Sequence, residues 1–466
     1  MKIISRLLLV LSLLLSSMLT AQEITGEWSG NLEVQGMKLP LVINITQRDS
    51  GYASTLKSPK QSPLEMPVDQ THFENDSLYI SVKRLQLHFR GKLENQMITG
   101  NFIQMGNTLP LTLQHKSYEE EKRPQDPTGE LPYIAEEVTF KNAAANNIKL
   151  AGTLTLPMDI KNPPVAVLIT GSGGQNRDEE LGPMNHRPFL VLADHLTREG
   201  IAVLRFDDRG VGESEGNQQE GTSADFATDV EAAVTYLKTR TDVDISKIGL
   251  IGHSEGGLIA DLVIANKNNK IAYFVSLAGP AVPGGEIIIS QTEKIAQLNG
   301  EDAENTSFDK ELSSKIFEYI ATAKDTLGMG AKVSNVINSM LKNAPKTIQN
   351  KYTPEIIASA KDQFLNNWMI YFIQTDPATY IEQIEIPTLV LNGGKDVQVL
   401  SSLNLPAYEQ ALKKAGNQDY TIKELPELNH LFQTAETGNP MEYGQIEETF
   451  SPQALELISS WINKRF

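Results

Sequence analysis

No cysteine occurs in this chain of 466 residues. Its absence removes disulfides, thiolate metal sites and a cysteine nucleophile together, and leaves hydroxyl, carboxylate, imidazole and amine chemistry. A lipid-anchored cysteine near the amino terminus is excluded on the same ground. Basic residues are in deficit, with 41 Lys and Arg against 58 Asp and Glu and a formal net charge of −17. Such a chain is repelled by a phosphate backbone, so nucleic acid is a poor partner for it. Long apolar runs are scarce. The run at residues 7–15 is shorter than the roughly 20 apolar residues that span a bilayer, and nothing later reads as a transmembrane stretch.

That short run does carry a meaning. Lys2 and Arg6 precede it, and Ser16, Ser17 and small residues near Ala21 follow, which is the charged, apolar, small order of a secretory signal peptide. Residues 1–22 are therefore read as a leader, and the mature protein as secreted or periplasmic with no stable membrane span. Hydrophobic residues make up 40% and charged residues 21%, the balance of a folded chain. At about 150 residues per domain the length suits two or three domains.

Two regions differ in period. From Gly26 to about His115 apolar and polar residues alternate, as in Ser77-Leu78-Tyr79-Ile80-Ser81-Val82, with turn residues at short intervals. This predicts a small antiparallel β-barrel or sandwich over residues 23–115, with Trp28 in its core. Residues 116–132 collect Glu119, Glu120, Glu121, Lys122, Arg123, Pro124, Asp126 and Pro127, a solvated and stiffened composition that reads as a linker. From 133 to 466 apolar runs alternate with helical stretches, which predicts an α/β domain with parallel strands covered on both faces. Strands are expected at residues 165–170, 201–206, 247–252, 272–278, 386–392 and 420–425. Helices are expected at 189–198, at 224–238 with Ser223 as N-cap, and at 257–265. Between about 283 and 380 the rhythm stops and long helical patterns at 310–323 and 354–373 take over. An insertion of that size between two sheet strands is read as a helical cap.

Gly252-His253-Ser254-Glu255-Gly256 has the form G-x-S-x-G. A strand that passes into a helix through one residue strains that residue's backbone and pushes its side chain out over the sheet edge. The glycines on either side remove Cβ atoms that would collide. A buried-strand pattern precedes the motif and a helical pattern follows it, so Ser254 is the candidate nucleophile. Seven histidines are available as its base: His72, His88, His115, His186, His195, His253 and His430. The first three belong to the β region, and His186 and His195 lie on or before the first helix. His253 adjoins Ser254 and is expected to point into the sheet as a packing residue. His430 follows the last strand in the loop Pro426-Glu427-Leu428-Asn429-His430-Leu431-Phe432, which makes it the candidate base. Asp396, just beyond strand 386–392, is the candidate orienting acid, because open α/β sheets build their sites at that edge. Glu424 and Glu427 rank behind it, being too close to His430 in the chain. The order Ser254, Asp396, His430 is the one expected for this elbow motif and not that of the chymotrypsin or subtilisin arrangements. After strand 165–170, the loop Gly171-Ser172-Gly173-Gly174 could aim the amide of Ser172 or Gly173, with that of Glu255, at a developing oxyanion. Asp207, Asp208 and Arg209 read as a turn-bracing network.

Taken together these residues resemble the α/β-hydrolase superfamily, in particular its exported bacterial esterase branch, similar to serine-aminopeptidase-like and dienelactone-hydrolase-like enzymes. The resemblance spans about residues 138–466. It rests on Leu150-Ala151-Gly152-Thr153-Leu154-Thr155-Leu156-Pro157, on the loop from Thr170 to Glu179, on Asp207-Asp208-Arg209-Gly210-Val211-Gly212-Glu213-Ser214, on the serine elbow and on Asn429-His430-Leu431-Phe432. The chain departs from it at Gly174 and Leu400, where relatives often carry proline. The resemblance implies that Ser254 attacks an acyl carbonyl, His430 takes its proton, Asp396 fixes the imidazole tautomer and water releases the acyl group, without metal or organic cofactor. The implied substrate is a small-molecule ester or, alternatively, a short peptide. A peptidase would need carboxylates for a free amino group, and Glu301, Asp302 and Glu304 are available; Phe317, Ile320, Leu327, Met340, Trp368 and Met369 suit acyl or aryl groups, though core packing is the expected fate of most of them. Two other classes stand further off. Gly210-Val211-Gly212-Glu213-Ser214-Glu215-Gly216 fails as a dinucleotide fingerprint, because a polar stretch separates it from the next helix. A non-catalytic protein that binds a ligand through its β region is the last reading. Oligomeric state is not legible.

Overall fold

The computed structural model describes residues 24–34, 37–59, 62–118 and 123–466; the leader expected at residues 1–22 lies outside them. The chain divides into two compact units, Met1–Glu121 and Lys122–Phe466.

In the first unit nine strands form one antiparallel sheet: β1 (Gly26–Val34), β2 (Met37–Arg48), β3 (Gly51–Ser58), β4 (Ser62–Pro67), β5 (Gln70–Glu74), β6 (Ser77–Val82), β7 (Leu87–Glu94), β8 (Met97–Gln104) and β9 (Asn107–His115). Alternation sets the faces. In β7, Leu87, Phe89 and Leu93 are buried while His88, Arg90, Lys92 and Glu94 are exposed. Asn95 and Gln96, both at positive φ, join β7 to β8 in a two-residue turn whose twist matches the strands. The strand order is β4-β3-β2-β1-β9-β8-β7-β6-β5. The sheet curls until the two ends of that order meet, where Ser54 Oγ lies 2.7 Å from Thr71 Oγ1 and Val68 N–H donates to the Ser54 carbonyl. The barrel or sandwich expected from the alternation is thus one curled sheet. Its core includes Trp28, Ile43, Ile80 and Phe89. The Trp28 indole N–H donates to the Ile24 carbonyl at 2.7 Å, and its ring stacks on His115.

The second unit is built on β10 (Tyr133–Asn142), β11 (Ile148–Pro157), β12 (Val165–Ile169), β13 (Ala202–Phe206), β14 (Ile248–His253), β15 (Tyr273–Leu277), β16 (Thr388–Gly393) and β17 (Tyr420–Leu425). Their order is β10-β11-β13-β12-β14-β15-β16-β17, with β11 antiparallel to both its neighbours, β10 and β13, and every other pair parallel. Strands β12 to β16 are buried along their whole length, as strands covered on both faces must be. Around them lie α1 (Pro188–Arg198), α2 (Ser223–Leu237), α3 (Glu255–Ala265), α11 (Ser401–Ala415) and α12 (Pro452–Asn463). Strand order reverses at β12, which has β13 on one side and β14 on the other. In open sheets of this kind, ligands are held beyond the carboxyl ends of the strands that flank such a reversal, here β12 with β13 and β14.

The helix expected at 310–323 starts earlier, at Ala303, and two other differences from expectation have a visible cause. The N-cap of α2 is Thr222 rather than Ser223: Thr222 and Asp225 exchange side-chain and backbone hydrogen bonds in a capping box. The pattern at 354–373 is two helices, α8 (Pro354–Phe364) and α9 (Asn367–Gln374), because the Asn366 side chain accepts from Met369 N–H and starts a new helix. Both belong to a helical segment between β15 and β16 that also contains α4 (Gly284–Leu298), α5 (Ala303–Thr322), α6 (Met329–Asn343), α7 (Lys346–Gln349) and α10 (Ala378–Ile381). The segment has its own core of Ile316, Phe317, Ile320, Val333, Ile337 and Ile373.

Part of the stretch read as a linker is fastened to the second unit. The Arg123 guanidinium donates to the carbonyls of Met184, Gly444 and Ile446. Gln125 exchanges hydrogen bonds with the backbone of Thr449 and Phe450, and Asp126 pairs with Arg187 at 2.7 Å.

Candidate active site

Strand β14 passes to α3 through Ser254 alone, at φ 53° and ψ −124°. A non-glycine residue held there stores on the order of 1–3 kcal/mol, so its surroundings must dictate it. They do: Ser254 N–H donates to the Leu277 carbonyl at 2.9 Å, and its own carbonyl accepts Gly257 N–H at 2.9 Å. The flanking glycines are required by close approach. A Cβ on Gly252 would stand 2.1 Å from the Gly256 carbonyl oxygen, and one on Gly256 would stand 2.2 Å from that of Ile169.

The loop after β12 runs along this bend. A Cβ on Gly171 would lie 3.2 Å from Ser254 Cβ, so the chain passes directly against the serine. Ser172 and Gly173 follow in exposed positions, with Gly173 at φ +97°. Among the described residues their amides, and that of Glu255 at the head of α3, have no hydrogen-bond acceptor. Such amides are free to meet negative charge.

Asp396 lies three residues past β16 and His430 in the loop after β17, both buried. Asp396 Oδ2 is 2.8 Å from His430 Nδ1, while its Oδ1 accepts the backbone N–H groups of Gln398 and Val399. A carboxylate only accepts, so Nδ1 carries the proton and Nε2 keeps a lone pair. The rival acids are engaged elsewhere: Glu424 accepts from Ser401, and Glu427 pairs with Lys395. The structure therefore brings Asp396 and His430 together and sets the His430 ring 4.8 Å from that of His253, the residue before Ser254. Among the described residues no hydrogen bond joins Ser254 Oγ to His430. His253 itself departs from expectation. Its ring does not point into the sheet but spans Glu179 and the His430 carbonyl.

Three features were invisible to sequence reasoning. The buried Glu255 side chain accepts from Ser223 Oγ at 2.6 Å and from the Trp368 indole at 2.8 Å, both on Oε1, and burial holds its carboxyl above the usual carboxylate range. Trp368 also stacks on Phe372. Glu179 accepts from Gly171 N–H and faces His253. Partners 113 and 74 residues apart leave no periodic trace. The bracing network read at 207–209 is present and more directed than expected. Asp207 takes Arg177, and Arg209 pairs with Asp229. Asp208 clasps the loop after β12 at both ends, accepting from Thr170 Oγ1 and from Gln175 N–H; burial pushes its carboxyl up to about 7.

Apolar side chains cluster beside the elbow. Leu258 of α3, Ile287 of α4, Phe372 of α9 and Val399 of the Asp396 loop pack together, with Trp368 against them. Phe317, Ile320 and Met369 are core residues of the helical segment, and Leu327 is 91% exposed. Of the acids a peptidase would need, Asp302 caps α5 by accepting from the amides of Glu304 and Asn305. Among the described residues no group of three or more His, Asp or Glu side chains is arranged to hold a metal ion.

The profile of the family described as serine aminopeptidase, S33, matches residues 187–436, a span that holds Ser254, Asp396 and His430. Esterase EstD of Thermotoga maritima is 26% identical over 340 residues, which are 72% of this chain and 70% of that protein. The quorum-quenching protein AidA of Acinetobacter baumannii is 27% identical over 135 residues, 28% of this chain and 40% of its own. A solved esterase of Pyrococcus furiosus is similar at a TM-score of 0.43 and 16% identity, covering 75% of this chain and 99% of that one.

Proposed function

The chain belongs to the serine aminopeptidase, S33, family of α/β-hydrolases, and from that premise we propose that it is an exported carboxylesterase that works through an acyl-enzyme. Ser254 Oγ adds to the ester carbonyl carbon as His430 Nε2 takes its proton, and Asp396 stabilises the resulting imidazolium through Nδ1. The oxyanion meets the Glu255 amide and that of Ser172 or Gly173. The tetrahedral intermediate collapses, the C–O bond breaks, and the alcohol leaves with the proton from His430. Water, deprotonated by His430, then adds to the acyl-Ser254 carbonyl; the acyl C–Oγ bond breaks as His430 returns the proton to Ser254 Oγ, and the acid leaves.

The observation that carries this reading is the buried Asp396–His430 pair at 2.8 Å, packed against the residue that precedes the strained Ser254. Likeness to an esterase along 72% of the chain supports ester over peptide substrates. So does the apolar cluster beside the elbow, which suits an acyl or aryl group. The aminopeptidase reading has the family's description in its favour. Against it, Asp302 is engaged as a helix cap, and Glu301 and Glu304 stand exposed. The deciding experiment compares p-nitrophenyl butyrate with aminoacyl p-nitroanilides, using wild type and Ser254→Ala, with a fluorophosphonate probe to report the labelled serine. Turnover of esters only, lost in Ser254→Ala, is expected; turnover of anilides alone would transfer the protein to the peptidases.

Export rests on Lys2, Arg6 and the apolar residues 7–15. Among the described residues no helix is long and apolar enough to cross a membrane. Cell fractionation with amino-terminal sequencing of the mature protein tests release into the periplasm or medium.

A further inference from the structure

Beneath the proposed catalytic residues lies a second, buried set of contacts that the reaction does not use. Glu179 Oε1 accepts Gly171 N–H at 3.0 Å and faces His253 Nδ1 at 2.8 Å, and His253 Nε2 lies 2.9 Å from the His430 carbonyl oxygen. Glu179, His253 and His430 are all buried. The chemistry of the partners fixes the protons. A backbone carbonyl only accepts, so Nε2 carries hydrogen. With Glu179 ionised as an ordinary carboxylate, Oε1 only accepts, from the Gly171 amide and from the ring alike, so Nδ1 carries hydrogen as well. A ring with both nitrogens protonated is an imidazolium.

We infer that His253 is an imidazolium paired with the Glu179 carboxylate, and that this ion pair positions the oxyanion loop, the serine bend and the main chain of His430 against one another. The inference rests on the esterase reading for its function, though not for the charge state. Each of the three parts touches the pair once: Gly171 through Glu179, Ser254 through its covalent bond to His253, and His430 through its carbonyl. Two further observations agree. Glu179 holds φ +53°, and its Oε2 is buried with no hydrogen-bond partner among the described residues. Strain and an unsatisfied oxygen together persist only where the surroundings over-determine them. The groups facing the ring are Glu179 before α1, Asp396 after β16, and His430 with Phe432 after β17. Burial by itself would lower the proton affinity of His253. The charge and hydrogen bond of Glu179, the His430 carbonyl and the charge of Asp396 outweigh it and hold that affinity above the ordinary histidine value.

His253 and Glu179 are positioning residues, so their test must reach beyond activity. In the full-length protein labelled with 15N-histidine, the His253 resonances are identified by their loss in His253→Gln. At pH 8 wild type should show two ring N–H groups with imidazolium nitrogen shifts. A neutral ring at pH 8, in either tautomer, overturns the inference whatever the enzyme's activity. Because the pair persists below the raised His253 value and is lost as pH rises through it, the alkaline fall of kcat should follow the His253 titration. Glu179→Gln should move that fall to lower pH and reduce kcat on p-nitrophenyl butyrate by about 10- to 100-fold, the scale of a misplaced reacting group, with KM within about twofold. An unchanged alkaline limb in a folded Glu179→Gln protein also overturns it. Ester turnover that survives in Ser254→Ala would remove the catalytic reading and leave the NMR result standing.

Discussion

The Trp368 indole donates to Glu255 Oε1 across 2.8 Å, and so ties α9 of the helical segment to the residue directly after Ser254. Ser223 Oγ shares the same oxygen. Trp368→Phe keeps the ring and removes the donor. A loss of about 1–3 kcal/mol in urea unfolding is expected, the range for a buried acceptor that loses a partner. In a double-mutant cycle with Glu255→Gln the two changes should fail to add.

Ser254→Ala deletes one oxygen and leaves the bend in place. Turnover of p-nitrophenyl butyrate should fall by at least about 1,000-fold, with fluorophosphonate labelling lost and the thermal midpoint almost unmoved. Residual turnover near the wild-type rate would place the nucleophile elsewhere.

Asp396→Asn keeps an acceptor for the Gln398 and Val399 amides but presents an amide to His430 Nδ1, which then has no reason to hold its proton. The ring turns to the other tautomer, with its lone pair on the wrong nitrogen. A fall in kcat of about 10⁴-fold is expected, with little change in KM. A fall of less than tenfold in steady-state kinetics would remove Asp396 from this role.

Asp208 binds its proton more tightly in the fold than in the unfolded chain, since burial raises it from 3.8 to about 7. The stability it supplies is full below about pH 4 and is lost as pH rises towards 7, because the unfolded state ionises first. In urea titrations at several pH values, Asp208→Asn should gain on wild type steadily across that window. A constant difference would show that the carboxyl is already ionised in the fold.

Residues 123–126 set the boundary for truncation. A chain starting at residue 122 keeps the Arg123, Gln125 and Asp126 bonds and should fold as an active hydrolase. One starting at residue 133 loses them, and its urea midpoint should correspond to a stability about 2–5 kcal/mol lower, at roughly 1 kcal/mol per hydrogen bond.

What could be read from sequence was what local physics writes into neighbouring residues. Gly252, Ser254 and Gly256 announce the bend because the close approach that demands each glycine lies within the motif or the strand beside it. Strands β12 to β16 are legible because burial on both faces leaves an unbroken apolar run. The Thr222 cap carried a signal in Asp225 three residues later, although Ser223 alone looked sufficient. The break at Asn366 was masked because Leu365, Trp368 and Met369 continue the apolar spacing of α8 into α9. His253 was misjudged because the carbonyl that holds its ring belongs to a residue 177 positions away. No pattern of residue types encodes a distance of that kind. The joining of the first sheet's two halves was equally out of reach, since it depends on β1 finding β9.

That last pairing reaches past the fold itself. With Trp28 of β1 opposite His115 of β9, the chain arrives at the first sheet and departs from it on adjoining strands, so the unit is a natural cassette. A short loop could join its two ends and a hairpin such as Asn95-Gln96 could be opened instead, giving a circular permutant with the same neighbours in the sheet. Grafting it into another polypeptide would ask of the host only two anchor points about one strand spacing apart.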